Sequence, residues 1–217
     1  MSPTQPDGYL AMPSTSEGPA VLVLHAWWGL NTTIKGVCDR LAEAGLVAFA
    51  PDLYHGKVTD QIAEAEKLGA ALDEKFEQAR AEIAAATSFL QERTGTTDAG
   101  IAVIGFSLGA FYALDLSAAM PEVIRSVVIF YGTGPADFNR AQAAYLGHFA
   151  ENDPYETLAG VKDLEEMLKA AGRPVTFYTY PDTGHWFFEP DRTDAYNADA
   201  ARLAWYRTLA FLQRAST

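Results

Sequence analysis

A series of short apolar runs, each bounded by turn residues, constrains this chain more than any other feature. They fall at Val21–Leu24, Leu46–Ala50, Ile101–Ile104, Val127–Tyr131, Ala143–Phe149 and Val175–Tyr180. Helix-period segments lie between most of them, at about Thr33–Ala44, Asp60–Glu92, Leu108–Ala119, Thr157–Ala171 and Asp194–Leu212. A strand that is apolar on both sides needs cover on both faces, and an intervening helix returns the chain to the same end of the sheet. The pattern therefore predicts an α/β fold, with a mostly parallel central sheet between two layers of helices. Asn31 and Thr32 suit a helix N-cap, while Gly45, and Gly172 with Pro174, suit helix ends. Gly8 to Met12 reads as an edge strand. The long segment 60–92 carries one apolar stripe, from Ile62 through Leu72 and Ile83 to Leu90, with a break expected at Gly69. No repeat or linker divides residues 1–217, which read as a single domain.

Composition narrows the partners. The chain has 217 residues, 49% hydrophobic and 20% charged, an ordinary globular balance with a formal charge of −12. No basic run could follow a phosphate backbone, and the acidic surplus repels anionic membranes, so neither nucleic acid nor membrane is expected. The only cysteine, Cys38, excludes an internal disulfide and falls on the apolar side of a helix, with Ile34, Val37 and Leu41. The start lacks the cationic and apolar regions of a signal peptide, and Ala20–Leu30 is too short to span a bilayer. A cytoplasmic protein is expected, as a monomer or small homo-oligomer.

Chemistry enters at residues 101–109, Ile-Ala-Val-Ile-Gly-Phe-Ser-Leu-Gly. At ordinary usage a bare G-x-S-x-G arises by chance in roughly seven of a hundred chains this long. Its placement between an apolar strand and an apolar helix is what makes it informative, because a nucleophile elbow holds its serine on that turn. A free serine hydroxyl is a poor nucleophile, so Ser107 needs a base and the base needs an orienting acid. His25 and His55 precede the serine, and His148 falls within or at the end of an apolar strand. His185 alone follows a later strand, through Pro-Asp-Thr-Gly. Asp153 follows the strand ending near Phe149 and is the candidate acid. Glu151 shares its loop, and Asp182 reads as a turn residue beside His185.

The oxyanion of an attacked carbonyl needs two aimed donors. The backbone N–H groups of Leu108 and Trp27 are the candidates, with Ala26 as second choice for the latter. The Trp27 and Trp28 indoles, with Tyr54, Phe106, Tyr131, Trp186 and Phe187, are expected to wall an apolar substrate pocket. The scattered histidines carry no metal-ligand spacing and no G-x-G-x-x-G follows a strand, so neither a metal nor another cofactor is expected.

Five stretches carry a family resemblance: Val-Leu-Val-Leu-His-Ala-Trp-Trp-Gly-Leu-Asn (21–31), Phe-Ala-Pro-Asp-Leu-Tyr (49–54), Gly-Phe-Ser-Leu-Gly-Ala (105–110), Gly-His-Phe-Ala-Glu-Asn-Asp (147–153) and Gly-His-Trp-Phe (184–187). Together they resemble the dienelactone hydrolase family, in order and over most of the chain. The resemblance implies an α/β-hydrolase fold without a large cap domain. It also implies a Ser107–His185–Asp153 triad and oxyanion donors at Trp27 and Leu108. The sequence departs from that pattern in three ways. Ser107 replaces the cysteine nucleophile of the family's name-giving enzymes, Ala26 stands where they carry a glutamate, and their substrate-gripping arginines lack counterparts. No arginine occurs between Arg40 and Arg80, and Glu189 lies four residues beyond His185, with Arg192 shortly after. With Glu189 facing the pocket, a substrate carboxylate at ~4 Å would be opposed by about 4 kcal/mol at an effective dielectric of 20. The expected function is hydrolysis of small carboxylic esters or lactones, neutral at the reacting end, through an acyl-enzyme. Rival readings are another acyl hydrolase on the same triad (thioesterase, dienelactone hydrolase proper or peptidase) and a catalytically silent scaffold with a binding role.

Overall fold

A computed structural model describes residues 4–95 and 100–215. The strands are β1 (Gly8–Ala11), β2 (Ala20–Leu24), β3 (Val47–Pro51), β4 (Ile101–Phe106), β5 (Ile124–Phe130), β6 (Ala144–Ala150) and β7 (Val175–Tyr180). The helices are α1 (Thr32–Glu43), α2 (Ile62–Asp73), α3 (Phe76–Thr94), α4 (Leu108–Ala119), α5 (Leu158–Ala170) and α6 (Ala198–Ala215). One seven-stranded sheet runs in the order β1-β3-β2-β4-β5-β6-β7. Only β1 is antiparallel, pairing with β3 at the edge. This is an α/β-hydrolase fold, and among the described residues no large cap domain is present.

Strand pleating divides the core. Leu22 and Leu24 of β2 face a cluster that includes Ile83 of α3, Ala113 of α4 and Leu164 of α5. Val21 and Val23 face the opposite cluster, with Ile34 and Leu41 of α1 and Ala204 of α6. Both faces are therefore covered, which is why the strands lack the polar alternation of a half-exposed sheet. Local signals set several boundaries. Asn31 caps α1 by accepting from Ile34 N at 3.0 Å, and Thr157 caps α5 by accepting from Gly160 N at 3.1 Å. Gly45 and Gly172 hold φ of 88° and 71° after α1 and α5.

The long helical segment breaks at Glu74–Lys75, not at Gly69. Gly69 continues α2 because its missing side chain admits the Trp27 indole; an added Cβ would stand 3.0 Å from Trp27 Nε1. Lys75 leaves the helical region (φ −111°, ψ 33°) and restarts the chain as α3. Neither Gly nor Pro marks this break in the sequence. No helix among the described residues is long and apolar enough to cross a membrane.

Two glycines let the strand–turn–helix around residue 107 close. A Cβ on Gly109 would lie 2.3 Å from Leu24 O, and one on Gly105 would lie 2.4 Å from Gly109 O. These neighbours are backbone atoms and cannot rotate away. Gly109→Ala should therefore cost about 3 kcal/mol, the upper end for overpacking, and lower Tm by about 6–12 °C for a chain of this size. Gly36→Ala is the control, since its Cβ would meet nothing within 4 Å. On helix α1 it should stabilise by up to about 1 kcal/mol. Equal melting temperatures for the two variants would refute the close approach.

Candidate active site

Ser107 bridges β4 and α4 with φ 50° and ψ −112°, a conformation that costs a non-glycine residue about 1–3 kcal/mol. Two bonds hold it there. Ser107 N donates to Phe130 O at 2.9 Å, and Ser107 O accepts from Ala110 N at 2.8 Å. The strand order changes direction between β2 and β4, so the loops leaving these strands diverge and open a crevice at their carboxyl ends. Leu108 is the first residue of α4, and its N–H has no acceptor within the helix. Trp27 lies on the β2 loop across the crevice and shares the cavity with Leu108.

The loops after β6 and β7 are latched together by their backbones. Glu151 N donates to Tyr180 O at 3.1 Å, and Asn152 N donates to Thr183 O at 2.9 Å. Asp182 N donates to Glu151 Oε2 at 3.0 Å, and Asp182 holds a turn at φ 55°. Glu151 thus serves the loop junction with its carboxylate, and Asp182 with its backbone. Asp153 Oδ1 accepts from Tyr155 N at 2.9 Å and Glu156 N at 3.0 Å. Those bonds aim Oδ2 at His185 Nδ1, 2.7 Å away. His185 Nε2 lies 2.9 Å from Ser107 Oγ. A carboxylate can only accept, so Nδ1 carries the imidazole proton and Nε2 is left to accept from the serine hydroxyl. His185 is 4% exposed and the Asp153 side chain 2%, so the pair is shielded from water.

A cavity of about 580 Å³ opens at Ser107, Leu108 and His185. Trp27 and Tyr155 line it with ring centroids 5.8 Å apart, and Phe76 and Phe111 line it at 5.9 Å. Asp73, Thr133 and Glu156 supply its remaining polar lining. Of the aromatic residues expected from sequence to wall the pocket, Trp27 lines this cavity and the others, Phe187 against Tyr131 among them, do not. Trp28 packs on Trp186 at 5.0 Å and Phe106 on Phe130 at 4.7 Å, Tyr54 lies against His25 at 4.8 Å, and Tyr131 backs the His185 ring at 4.9 Å. All are apolar rings at strand ends or in adjoining loops, and they turn inward to complete the core. Of the candidates, Trp27 and Leu108 do reach the cavity. Phe111 follows Ser107 by one helical turn and was readable from spacing. Phe76, Asp73, Tyr155, Thr133 and Glu156 had no comparable signal.

Glu189 is also displaced from the expected pocket. It is fully buried, and its Oε1 accepts from Tyr131 Oη at 2.7 Å. Burial pushes its pKa up to about 8. At neutral pH it is a protonated acid, so the expected repulsion of a substrate carboxylate does not arise from it. The Arg192 guanidinium lies 4.1 Å over the Trp28 ring and donates to Asp60 O at 3.0 Å. His25, His148 and Cys38 occupy packed positions, while His55 is exposed. His148 lies between Tyr180 Oη (2.9 Å) and Thr208 Oγ1 (3.0 Å), with its pKa driven down to about 3 by burial. Burial also lowers the pKa of His25 and raises the Cys38 thiol to about 12. Among the described residues, no group of three or more His, Cys, Asp or Glu could hold a metal ion.

Comparison with known proteins places this geometry in context. The family model of the dienelactone hydrolase family matches residues 7–216. The chain is 33% identical to a protein named usf from Aquifex pyrophilus, over 95% of this chain and 92% of that one. It is 30% identical to a carboxymethylenebutenolidase from a Pseudomonas species, over 95% of this chain and 89% of that one. Its fold superposes with a TM-score of 0.82 on a dienelactone hydrolase-like promiscuous phosphotriesterase from metagenomic libraries, at 21% identity over 91% of this chain and 87% of that one.

The buried Glu189 has a stability consequence. In the folded chain it keeps its proton up to about pH 8, whereas in the unfolded chain it loses it near pH ~4.3. Between those limits unfolding releases a proton, so this residue lowers stability as pH rises, by about 1.4 kcal/mol per pH unit. Glu189→Gln carries no such proton and should still accept from Tyr131. Its stability advantage over the native protein should grow from pH 5 to 8 and then level off in urea titrations. A difference independent of pH would show that Glu189 ionises as readily in the fold as outside it.

Proposed function

The chain belongs to the dienelactone hydrolase family, and we propose that it cleaves carboxylic esters or lactones as a serine hydrolase, through an acyl-enzyme. It is a hydrolase of ester or lactone bonds. The observation that carries it is the continuous hydrogen-bonded line from Ser107 Oγ through His185 to Asp153 at the cavity wall. In this reading residues 1–217 act as one domain.

As Ser107 Oγ attacks the substrate carbonyl, its proton passes to His185 Nε2. Asp153 holds the imidazole in the required tautomer and stabilises the imidazolium that forms. Negative charge moves to the carbonyl oxygen, where the backbone N–H groups of Trp27 and Leu108 receive it. When the tetrahedral adduct collapses, His185 returns the proton to the departing alkoxide and leaves the acyl group on Ser107. Water then attacks that ester, giving its proton to His185, and a second collapse releases the acid and restores the serine. The strain at Ser107 keeps its hydroxyl clear of the helix, and the buried His185–Asp153 pair avoids competition from solvent for the same hydrogen bonds.

Ser107→Ala should lower kcat for p-nitrophenyl butyrate by about 10⁴- to 10⁶-fold, and a fluorophosphonate should add covalently to Ser107 in the native protein only. Asp153→Asn should lose about 10⁴-fold, since the imidazole can then take the wrong tautomer. Turnover by Ser107→Ala at the native rate would overturn the mechanism.

A further inference from the structure

We propose that the cavity beside Ser107 selects esters that bear a cationic ammonium group, held between the rings of Trp27, Phe76, Phe111 and Tyr155 and the carboxylates of Asp73 and Glu156. This inference rests on the hydrolase reading above and names the substrate class of the same site.

The cavity lining combines four aromatic rings with two acids, and neither Lys nor Arg contributes to it. Anionic substrates would meet two carboxylates without a counter-cation. Within the protein the acids are compensated only in part, Glu156 by the neighbouring His185. Asp73 faces the Tyr112 hydroxyl at 3.5 Å. Glu156 accepts from Thr133 N at 3.1 Å and Thr133 Oγ1 at 2.7 Å. All three donors are neutral, and among the described residues neither acid forms an ion pair with Lys or Arg. Glu156 is half-buried and desolvation raises the pKa of its carboxyl; desolvation also raises that of Asp73, which is largely exposed, so the penalty falls mainly on Glu156. A ligand cation would relieve that penalty.

Two further features favour a cation over an uncharged group of the same shape. The aromatic faces attract an ammonium through their quadrupoles, and alkylated ammonium is the form best suited to such surroundings because little hydration is lost. The overall charge of −12 would draw cations toward the crevice at low ionic strength.

The test compares choline butyrate with its uncharged isostere, 3,3-dimethylbutyl butyrate, by proton release in a pH-stat. The expected ratio of kcat/KM is at least tenfold in favour of the choline ester. It should fall several-fold in Asp73→Asn and in Glu156→Gln, and also between 50 and 500 mM NaCl. Because Glu156 lies on the Asp153 loop, the ratio is read rather than either rate, and Asp73→Asn, distant from that loop in sequence, serves as the second variant. Binding is measured separately in Ser107→Ala by Trp fluorescence, with choline against 3,3-dimethylbutanol. Choline should bind at least several-fold more tightly. Equal rates for the two esters with equal binding of the two alcohols would overturn the proposal while leaving the serine mechanism intact. A ratio unchanged in both variants would overturn it as well. Undiminished hydrolysis by Ser107→Ala, with choline binding still weakened by Asp73→Asn, would instead remove the mechanism and leave the cation site standing.

Discussion

Three backbones meet at the elbow with no side chain between them, and the rest of the site depends on that contact. Gly109 of α4 lies against the carbonyls of Leu24 and His25, while Gly105 of β4 lies against Gly109 itself. The approach fixes α4 at the end of the sheet and sets the angle at which Ser107 leaves β4. It also brings the β2 loop, with Trp27, across from Leu108, so both proposed oxyanion donors are positioned by one packing event. A larger residue at either glycine would move the serine and both of these donors together.

The imidazole is placed by a different device, a junction between two loops that follow neighbouring parallel strands. The Glu151 carboxylate is engaged in that junction and Asp182 forms its turn, while His185 Nδ1 is bonded to Asp153. Asp153 is left with one oxygen fixed by the Tyr155 and Glu156 amides and the other directed at Nδ1. Thr133, on the loop after β5, then binds Glu156 twice. The chain of contacts from β5 to β7 thus makes the serine–imidazole distance a property of the sheet rather than of flexible side chains.

Much of this was legible in the sequence, because the signals were local. Apolar runs gave the strands and glycines gave the turn. The order of Ser107, Asp153 and His185, after β4, β6 and β7, pointed to loops that the structure brings within hydrogen-bonding distance. Of the pocket wall only Trp27 was expected. Trp27 and Trp28 are adjacent and chemically alike, yet one faces the cavity and the other packs on Trp186. Composition cannot distinguish them, since the choice depends on what stands opposite each ring. Glu189 illustrates the same limit for charge: an acid near a catalytic histidine was expected to repel anions, but burial under Tyr131 keeps it protonated.

The sequence by itself determined the α/β class, the approximate positions of the strands and helices, the elbow and the loops that carry Asp153 and His185. Periodicity, capping and turn chemistry act over a few residues, so a linear reading reaches them. Only the tertiary structure decided which aromatic rings wall the cavity, that Asp73 and Glu156 enter it, and that the helix break falls at Lys75 and not Gly69. Each of these follows from contacts between segments distant along the chain. Burial, desolvation and close packing arise only when those segments meet.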